Sequence, residues 1–260
     1  MARPIAIVSA MHEELHALLP LVDGVQSIIV AGRTFHVGRL HAQPVVLVLS
    51  GIGKVAAATT AALLIDRFDA PALLFTGVAG GLHADVAVGD VVVARTLLQH
   101  DLDASPLFPR YEVPLTGRSR FEADTALADA LADAARRCLA SDAPAHAAGP
   151  AAGPAPLWPA GRPRRVHEGL IVSGDRFVSS AAESARLRAD LPQALAVEME
   201  GAALAQVCAD FGRPFAVLRS ISDRADDTAH VDFARFIAEV ASVYTRAIVG
   251  DWLARRIAAR

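Results

Sequence analysis

Three times along this chain a short aliphatic run stops at a glycine-bearing turn. Residues 44–49 lead into Ser50-Gly51-Ile52-Gly53-Lys54-Val55-Ala56, and residues 72–75 into Thr76-Gly77-Val78-Ala79-Gly80-Gly81. Residues 169–172 lead into Ser173-Gly174-Asp175-Arg176-Phe177-Val178. Glycine at the end of a buried strand lets the backbone approach a ligand or another element closely. Alanine supplies much of the 53% hydrophobic share, which favours helices on the outside of a sheet.

Further elements fit this pattern. Residues 5–8 read as a buried strand and 11–19 as a helix with Leu15, Leu18 and Leu19 on one face. Glu13 and Glu14 fall in its first turn, where the helix dipole favours negative charge. Residues 27–30, 34–40 and 44–49 read as strands, with Ala31-Gly32 as a turn. Residues 76–81 are expected to form a second glycine turn, followed by a strand at 89–94. The chain is then loop-like as far as 117, where Leu107, Phe108 and Tyr111 sit among Pro106, Pro109 and Pro114. Such a loop can cover a ligand or pack against a partner subunit. A helix is expected at about 124–139, a strand at 215–223 and one long amphipathic helix at 231–259. Residues 141–165 are rich in Ala, Pro and Gly and read as a solvated insertion within a single domain of 1–260, with Trp158 to pin it.

Composition excludes several classes. The net charge of −3 comes with no basic stripe, so nucleic acid is not an expected partner. Cys138 and Cys208 stand alone, match no metal or redox spacing, and suit buried thiols in a reducing cytosol. The apolar run at residues 5–10 meets His12, Glu13 and Glu14 too soon for a signal peptide, and nothing approaches a membrane span of about 20 apolar residues. Gly51, Gly53 and Ala56 fit a loose dinucleotide fingerprint, but the next strand ends at Thr76 where an acid is needed, so no nicotinamide cofactor is expected.

The chemistry-bearing stretch is Ala196-Val197-Glu198-Met199-Glu200-Gly201-Ala202-Ala203-Leu204, two carboxylates in an apolar run. Burying an unpaired carboxylate is unfavourable. Glu198 and Glu200 therefore either pair with arginines and backbone N–H groups or accept hydrogen bonds from a ligand diol such as a ribose. Phe177 can stack on a flat ring or join the core. Ser222 and Asp223, at the end of a strand, can cap a turn or face a ligand.

Five blocks, taken in order, resemble the bacterial 5′-methylthioadenosine/S-adenosylhomocysteine nucleosidases of the nucleoside phosphorylase superfamily. They are Ala10-Met11-His12-Glu13-Glu14, the 50–56 turn, the 76–81 turn, Val172-Ser173-Gly174-Asp175-Arg176-Phe177, and Val197-Glu198-Met199-Glu200 with Ile221-Ser222-Asp223. The resemblance implies a three-layer α/β/α domain around a central mixed sheet, and a homodimer. It implies hydrolysis of the bond between ribose C1′ and adenine N9 of an adenine nucleoside, with no cofactor and no metal. Asp223 would protonate adenine N7, for which burial would have to raise its pKa, and Glu14 would activate water. Glu200 would accept from the ribose hydroxyls, Met199 would pack on the sugar and Glu198 would support the site. Phe177 would stack on adenine, with the Val178 backbone and Ser222 reading the ring edge, and Met11 and Val78 would complete the substrate contacts.

Three departures stand out. His12 replaces an acid and is expected to face solvent, Val78 replaces a serine, and the 104–109 loop, implied to help form the 5′-substituent pocket, has different apolar residues. Two other functions remain open: a phosphorylase, which needs cations around phosphate, and a catalytically silent nucleoside binder. Glu14 would repel phosphate, although Arg95, Arg176 and Arg219 are candidate cations. A pure binder has no use for both Glu14 and Asp223.

Overall fold

The computed structural model describes residues 3–141 and 162–258. Trp158 and most of the expected insertion lie outside the described residues. The chain begins with β1 (Ile5–Ser9), α1 (His12–Leu18) and a 3-10 turn (Leu19–Leu21), and continues with β2 (Asp23–Val30), β3 (Arg33–Leu40), β4 (Gln43–Leu49) and α2 (Lys54–Phe68). Then come β5 (Leu73–Gly81), β6 (Val91–Gln99), the short β7 (Phe121–Glu122) and α3 (Thr125–Ala140). After the undescribed stretch follow β8 (Val166–Ser173), α4 (Ala181–Asp190), β9 (Ala194–Glu198), α5 (Gly201–Asp210) and β10 (Phe215–Asp223). The described part ends with α6 (Ala229–Phe236), a π-helical turn (Ile237–Ala241) and α7 (Ser242–Ala258).

All ten strands join one mixed sheet. β5 pairs with β1 and β10 in parallel and with β9 antiparallel. β10 pairs with β6 antiparallel, β6 with β8 in parallel and β8 with β9 in parallel. These pairings close a five-stranded ring, from which β1, β4, β3 and β2 extend as an open wing. Alternation along the strands divides the core. Ile5, Ile7, Val45 and Leu47 face α1, α3, α6 and α7, while Ala6, Val8, Val46 and Val48 face α2 and α5. That gives helix layers on both sides of the sheet. Asp124 caps α3 by accepting the Leu127 N–H at 2.9 Å, and Ser180 caps α4 by accepting from Glu183 at 3.3 Å.

Two expected elements change form. Residues 76–81 are not a turn but the last part of β5. Their glycines clear space for side chains of β10: a Cβ on Gly77 would lie 2.9 Å from Arg219 Nη1, and one on Gly80 2.8 Å from Asp223 Oδ1. Glycine inside a strand marks such an approach. The single helix expected at 231–259 is α6, the π turn and α7. Buried Phe236, Val240, Tyr244, Ile248 and Trp252 recur every fourth residue, a spacing that suits a wide turn as well as an α-helical one. The remaining differences are at boundaries: α1 stops at Leu18, β2 starts at Asp23, and β6 runs on through Gln99 into the stretch expected to be loop. At the end of the expected insertion, Arg162 is anchored to buried Asp90 at 2.8 Å.

Candidate active site

The carboxyl ends of β1, β4, β5, β8, β9 and β10 converge on a cavity of about 420 Å³. Strand carboxyl ends are where open α/β sheets place ligand sites. Its lining includes Met11 after β1, Ile52 after β4, Val78 on β5, Phe177 and Val178 after β8, Glu198, Met199 and Glu200 at the end of β9, and Ser222 and Asp223 on β10.

Glu198 is satisfied from within the protein. Arg219, wholly buried, donates to its Oε2 from Nη2 at 2.6 Å and from Nε at 3.1 Å. Ser173 donates its hydroxyl to Oε1, and the Gly201 N–H donates at 2.8 Å. The Arg219 guanidinium also lies over the Phe75 ring at 4.1 Å, beside the space that Gly77 leaves open. Of the two readings for a carboxylate in this run, the internally paired one describes Glu198.

Glu200 is held differently. It accepts the Gly53 N–H at 2.9 Å, so the first glycine turn presents a backbone donor across the cavity wall. Gly53 has φ 97°, and its missing Cβ would touch Asp175 Oδ1 at 3.3 Å. Asp175 in turn accepts the Lys54 N–H at 2.8 Å, tying the Phe177 loop to the same turn. Burial first, then the charge of Glu198, pushes the Glu200 carboxyl up to about 7.

Glu14 is wholly buried at the first turn of α1 and is not part of the cavity lining. Neither carboxylate oxygen has a hydrogen-bond partner among the described residues. Burial raises its pKa to about 7, opposed mainly by the charge of Arg219 and less by the Met11 backbone and the Thr245 hydroxyl, neither in hydrogen-bond geometry with it. The Thr245 and Thr76 hydroxyls lie 3.3 Å apart. The helix-dipole explanation thus suits exposed Glu13 but not Glu14.

Asp223 is 2% exposed. Its Oδ2 accepts the Ser222 hydroxyl at 2.8 Å and its Oδ1 the Ala225 N–H at 2.8 Å. Phe177 is 43% exposed, so it is not core, and it meets Phe233 edge to face at 5.6 Å.

Nine of the ten residues singled out from sequence therefore line one cavity, and Glu14 alone is set back from it. His12 is exposed, as expected. No residue of the 104–109 loop lines the cavity, so within this chain that loop does not form the pocket implied for it. Sequence reasoning missed Ser173, Gly53 and Phe233, and treated Arg219 only as a candidate phosphate cation. The Arg219 signal was available: an arginine inside a strand of buried apolar residues needs an acid to pair with.

Comparison with known proteins agrees with this architecture. The family model of the phosphorylase superfamily matches residues 4–251. A 5′-methylthioadenosine/S-adenosylhomocysteine nucleosidase of Neisseria meningitidis, solved with methylthio-immucillin-A, is 33% identical with a TM-score of 0.84, covering 98% of this chain and 100% of that one. An S-adenosylhomocysteine nucleosidase of Streptococcus pyogenes, with 5-methylthiotubericidin, is 31% identical with a TM-score of 0.82, covering 98% and 97%. A futalosine hydrolase of Helicobacter pylori is 33% identical with a TM-score of 0.81, covering 97% and 98%. With a family model over nearly its whole length and the same mixed α/β fold, this chain belongs to the phosphorylase superfamily.

Proposed function

We propose that this protein hydrolyses the N-glycosidic bond of 5′-methylthioadenosine and S-adenosylhomocysteine, releasing adenine and the 5′-thioribose. The observation that carries this reading is Glu14: a buried carboxylate, unpartnered among the described residues, whose pKa near 7 suits a general base. Water would lose its proton to Glu14 and add to C1′. The C1′–N9 bond would break with its electron pair going to adenine, which Asp223 protonates at N7. Glu200 has a free acceptor site for the ribose hydroxyls, Met199 packs on the sugar, and Glu198, spent on Arg219, holds the β9 end in place. Phe177 stacks on the base. The Ser222 hydroxyl is committed to Asp223, so the ring edge is left to the Val178 and Ser222 backbones.

None of the three cations named for the phosphorylase alternative is placed to hold a phosphate in the cavity. Arg219 is held by Glu198, and Arg95 by Asp129 and Glu168. Arg176 lines the cavity, but its side chain is 79% exposed and sits 3.7 Å from Glu183. Glu14, once ionised, would repel a phosphate bound beside it.

A second substrate reading has a specific motive, since a futalosine hydrolase matches as closely as the nucleosidases do. The deciding experiment is release of the free purine base, with and without phosphate, from methylthioadenosine, S-adenosylhomocysteine and a futalosine-type nucleoside. Release from the thionucleosides without phosphate supports the proposal. Release only with phosphate, giving a sugar 1-phosphate, makes it a phosphorylase. Release from the futalosine-type nucleoside alone moves the assignment there, and binding without release identifies a sensor.

The same reading extends to a single cytoplasmic domain, for which buried free Cys138 and Cys208 suit a reducing compartment. It also extends to a homodimer. Leu107 is 83% exposed and Val55 78%, apolar surface that a second copy would cover. Sedimentation at micromolar concentration tests this; a monomer there refutes the dimer.

A further inference from the structure

Lys54 opens α2, where a cation opposes the helix dipole, and no acidic side chain in the first turn offsets it. Gly53 before it has no side chain with which to cap the helix. The Lys54 N–H, one of the donors that a helix leaves unpaired at its start, is accepted instead by Asp175 Oδ1 at 2.8 Å. Asp175 thus caps α2 from the loop after β8, 121 positions away.

The Lys54 ammonium reaches the same loop. Its Nζ lies 2.6 Å from Asp101 Oδ1, just past the end of β6, and 3.8 Å from Asp175 Oδ2. Asp101 closes the ring by accepting the Asp175 N–H on Oδ2 at 2.8 Å. Burial opposes the charge of Asp101, but Lys54 and that N–H hold its carboxyl below the ordinary aspartate range, so it is ionised at neutral pH. Beside it, the buried His100 ring packs on Gly174, where a Cβ would lie 2.3 Å from Nε2. The His100 N–H donates to Ser173 O at 2.9 Å, and the Gly174 N–H to Glu198 O at 3.1 Å. One ammonium and two carboxylates therefore join three segments that are distant in sequence. Two of these segments supply Ile52 and Arg176 to the cavity lining.

Stability alone does not account for this ring, because partly exposed ion pairs contribute little to it. What the ring holds is the placement of two groups that flank it. Gly53 donates to Glu200, and Asp175 stands two residues before Phe177. Resting on the nucleoside reading above, we propose that Lys54, Asp101 and Asp175 are positioning residues that set Phe177 for the base and Glu200 for the ribose before the nucleoside arrives. Without Lys54 the two carboxylates repel each other, and the loop after β8 parts from the Gly53 turn. A bound nucleoside draws them together again at the expense of its own affinity. KM then rises while kcat is kept.

The test compares the unmodified protein with Lys54→Met and with Lys54→Met/Asp101→Asn. Cleavage kinetics are measured on methylthioadenosine, and amide hydrogen exchange on the unliganded proteins, with urea unfolding to confirm that each is folded. Lys54→Met should raise KM about tenfold and leave kcat within about threefold. Exchange in peptides covering 174–178 should become about tenfold faster, with β5 unchanged. The double variant removes one of the two repelling charges and keeps an oxygen for the Asp175 N–H. Its KM and exchange should return to within about threefold of the unmodified protein, a rescue that simple damage to the fold would not give. An unchanged KM in Lys54→Met, a fall in kcat with KM intact, or a double variant no better than the single one overturns the proposal. If the unmodified protein binds methylthioadenosine without cleaving it, the hydrolase reading has failed, and the same ratios are read from dissociation constants by calorimetric titration. If it does not bind either, the nucleoside reading has failed and exchange alone decides. Faster exchange that the double variant reverses then upholds the ring, and unchanged exchange overturns it.

Discussion

Replacing Glu14 with Gln should make the unliganded protein's stability less dependent on pH while abolishing turnover. In the folded state the Glu14 carboxyl keeps its proton up to about pH 7, against 4.5 for the exposed group. Between those values the folded chain binds a proton at this site that the unfolded chain has released. Stability therefore falls as pH rises from about 4.5 to about 7 and is level above that. The shift from 4.5 to about 7, at about 1.36 kcal/mol per unit, corresponds to roughly 3 kcal/mol. Glutamine fills nearly the same volume and has no charge to desolvate. Its buried amide adds an offset that is the same at every pH, so the difference in slope isolates Glu14. Glu200 titrates in the same window but is common to both proteins, and its contribution cancels. The assay is urea unfolding of both proteins at pH 5 and pH 7.5, with refolding checked for reversibility. The stability difference between variant and parent should change by about 2 kcal/mol in favour of the variant between the two pH values, because the titration is not complete at either end of that interval. Parallel changes in the two proteins would mean that Glu14 ionises normally, and both its burial and its role as a neutral-pH base would have to be abandoned.

Arg219→Met should lower stability by about 3–5 kcal/mol in denaturant titrations, because it leaves Glu198 as a buried charge with only neutral donors; a loss below about 1 kcal/mol would show that Ser173 and the backbone suffice. Asp223→Asn should reduce kcat by about 100–10,000-fold with nucleoside binding by calorimetry retained. Weakened binding with kcat intact would remove the general-acid assignment. Gly80→Ala places a Cβ 2.8 Å from Asp223 Oδ1 and 2.9 Å from Ala225 Cβ. Displacing that carboxylate by about 1 Å should cost on the order of 100-fold in kcat, and full activity would show that its position is not critical.

What the sequence makes legible here is local. β10 occupies residues 215–223 as its aliphatic run suggests, and β4 and α3 fall within a residue or two of expectation. The family motifs lead to one cavity because each sits at a strand end, and strand ends are where the sheet gathers side chains. The failures have a common cause in contacts between distant residues. The glycines of residues 76–81 look like a turn because their reason lies about 140 positions away, in the side chains of Arg219 and Asp223. Glu198 and Glu200 look alike in sequence, yet one meets Arg219 and Ser173 and the other a single Gly53 N–H. The π turn leaves no trace because four-residue spacing serves both helical forms.

One guanidinium sits among three carboxylates, and the unequal way it is shared separates their roles. Glu198 takes two of its N–H groups directly, together with a hydroxyl and backbone donors. The Arg219 charge also acts on Glu200 and Glu14, but only through space, and in both cases burial outweighs it. An arginine placed solely to neutralise acid would lie nearest the carboxylate that desolvation affects most, and Arg219 instead saturates the one already best supplied. The consequence is a β9 end tied to β8 and β10 through Glu198, and a Glu14 whose proton affinity stays raised, as the proposed role of base requires. The desolvation that lowers stability between pH 4.5 and 7 is the same interaction that raises that affinity. A protein that only bound a nucleoside would be more stable with an apolar residue at position 14. Under the proposed function, a buried carboxylate with no hydrogen-bond partner among the described residues is accounted for by a proton that it would accept during the reaction.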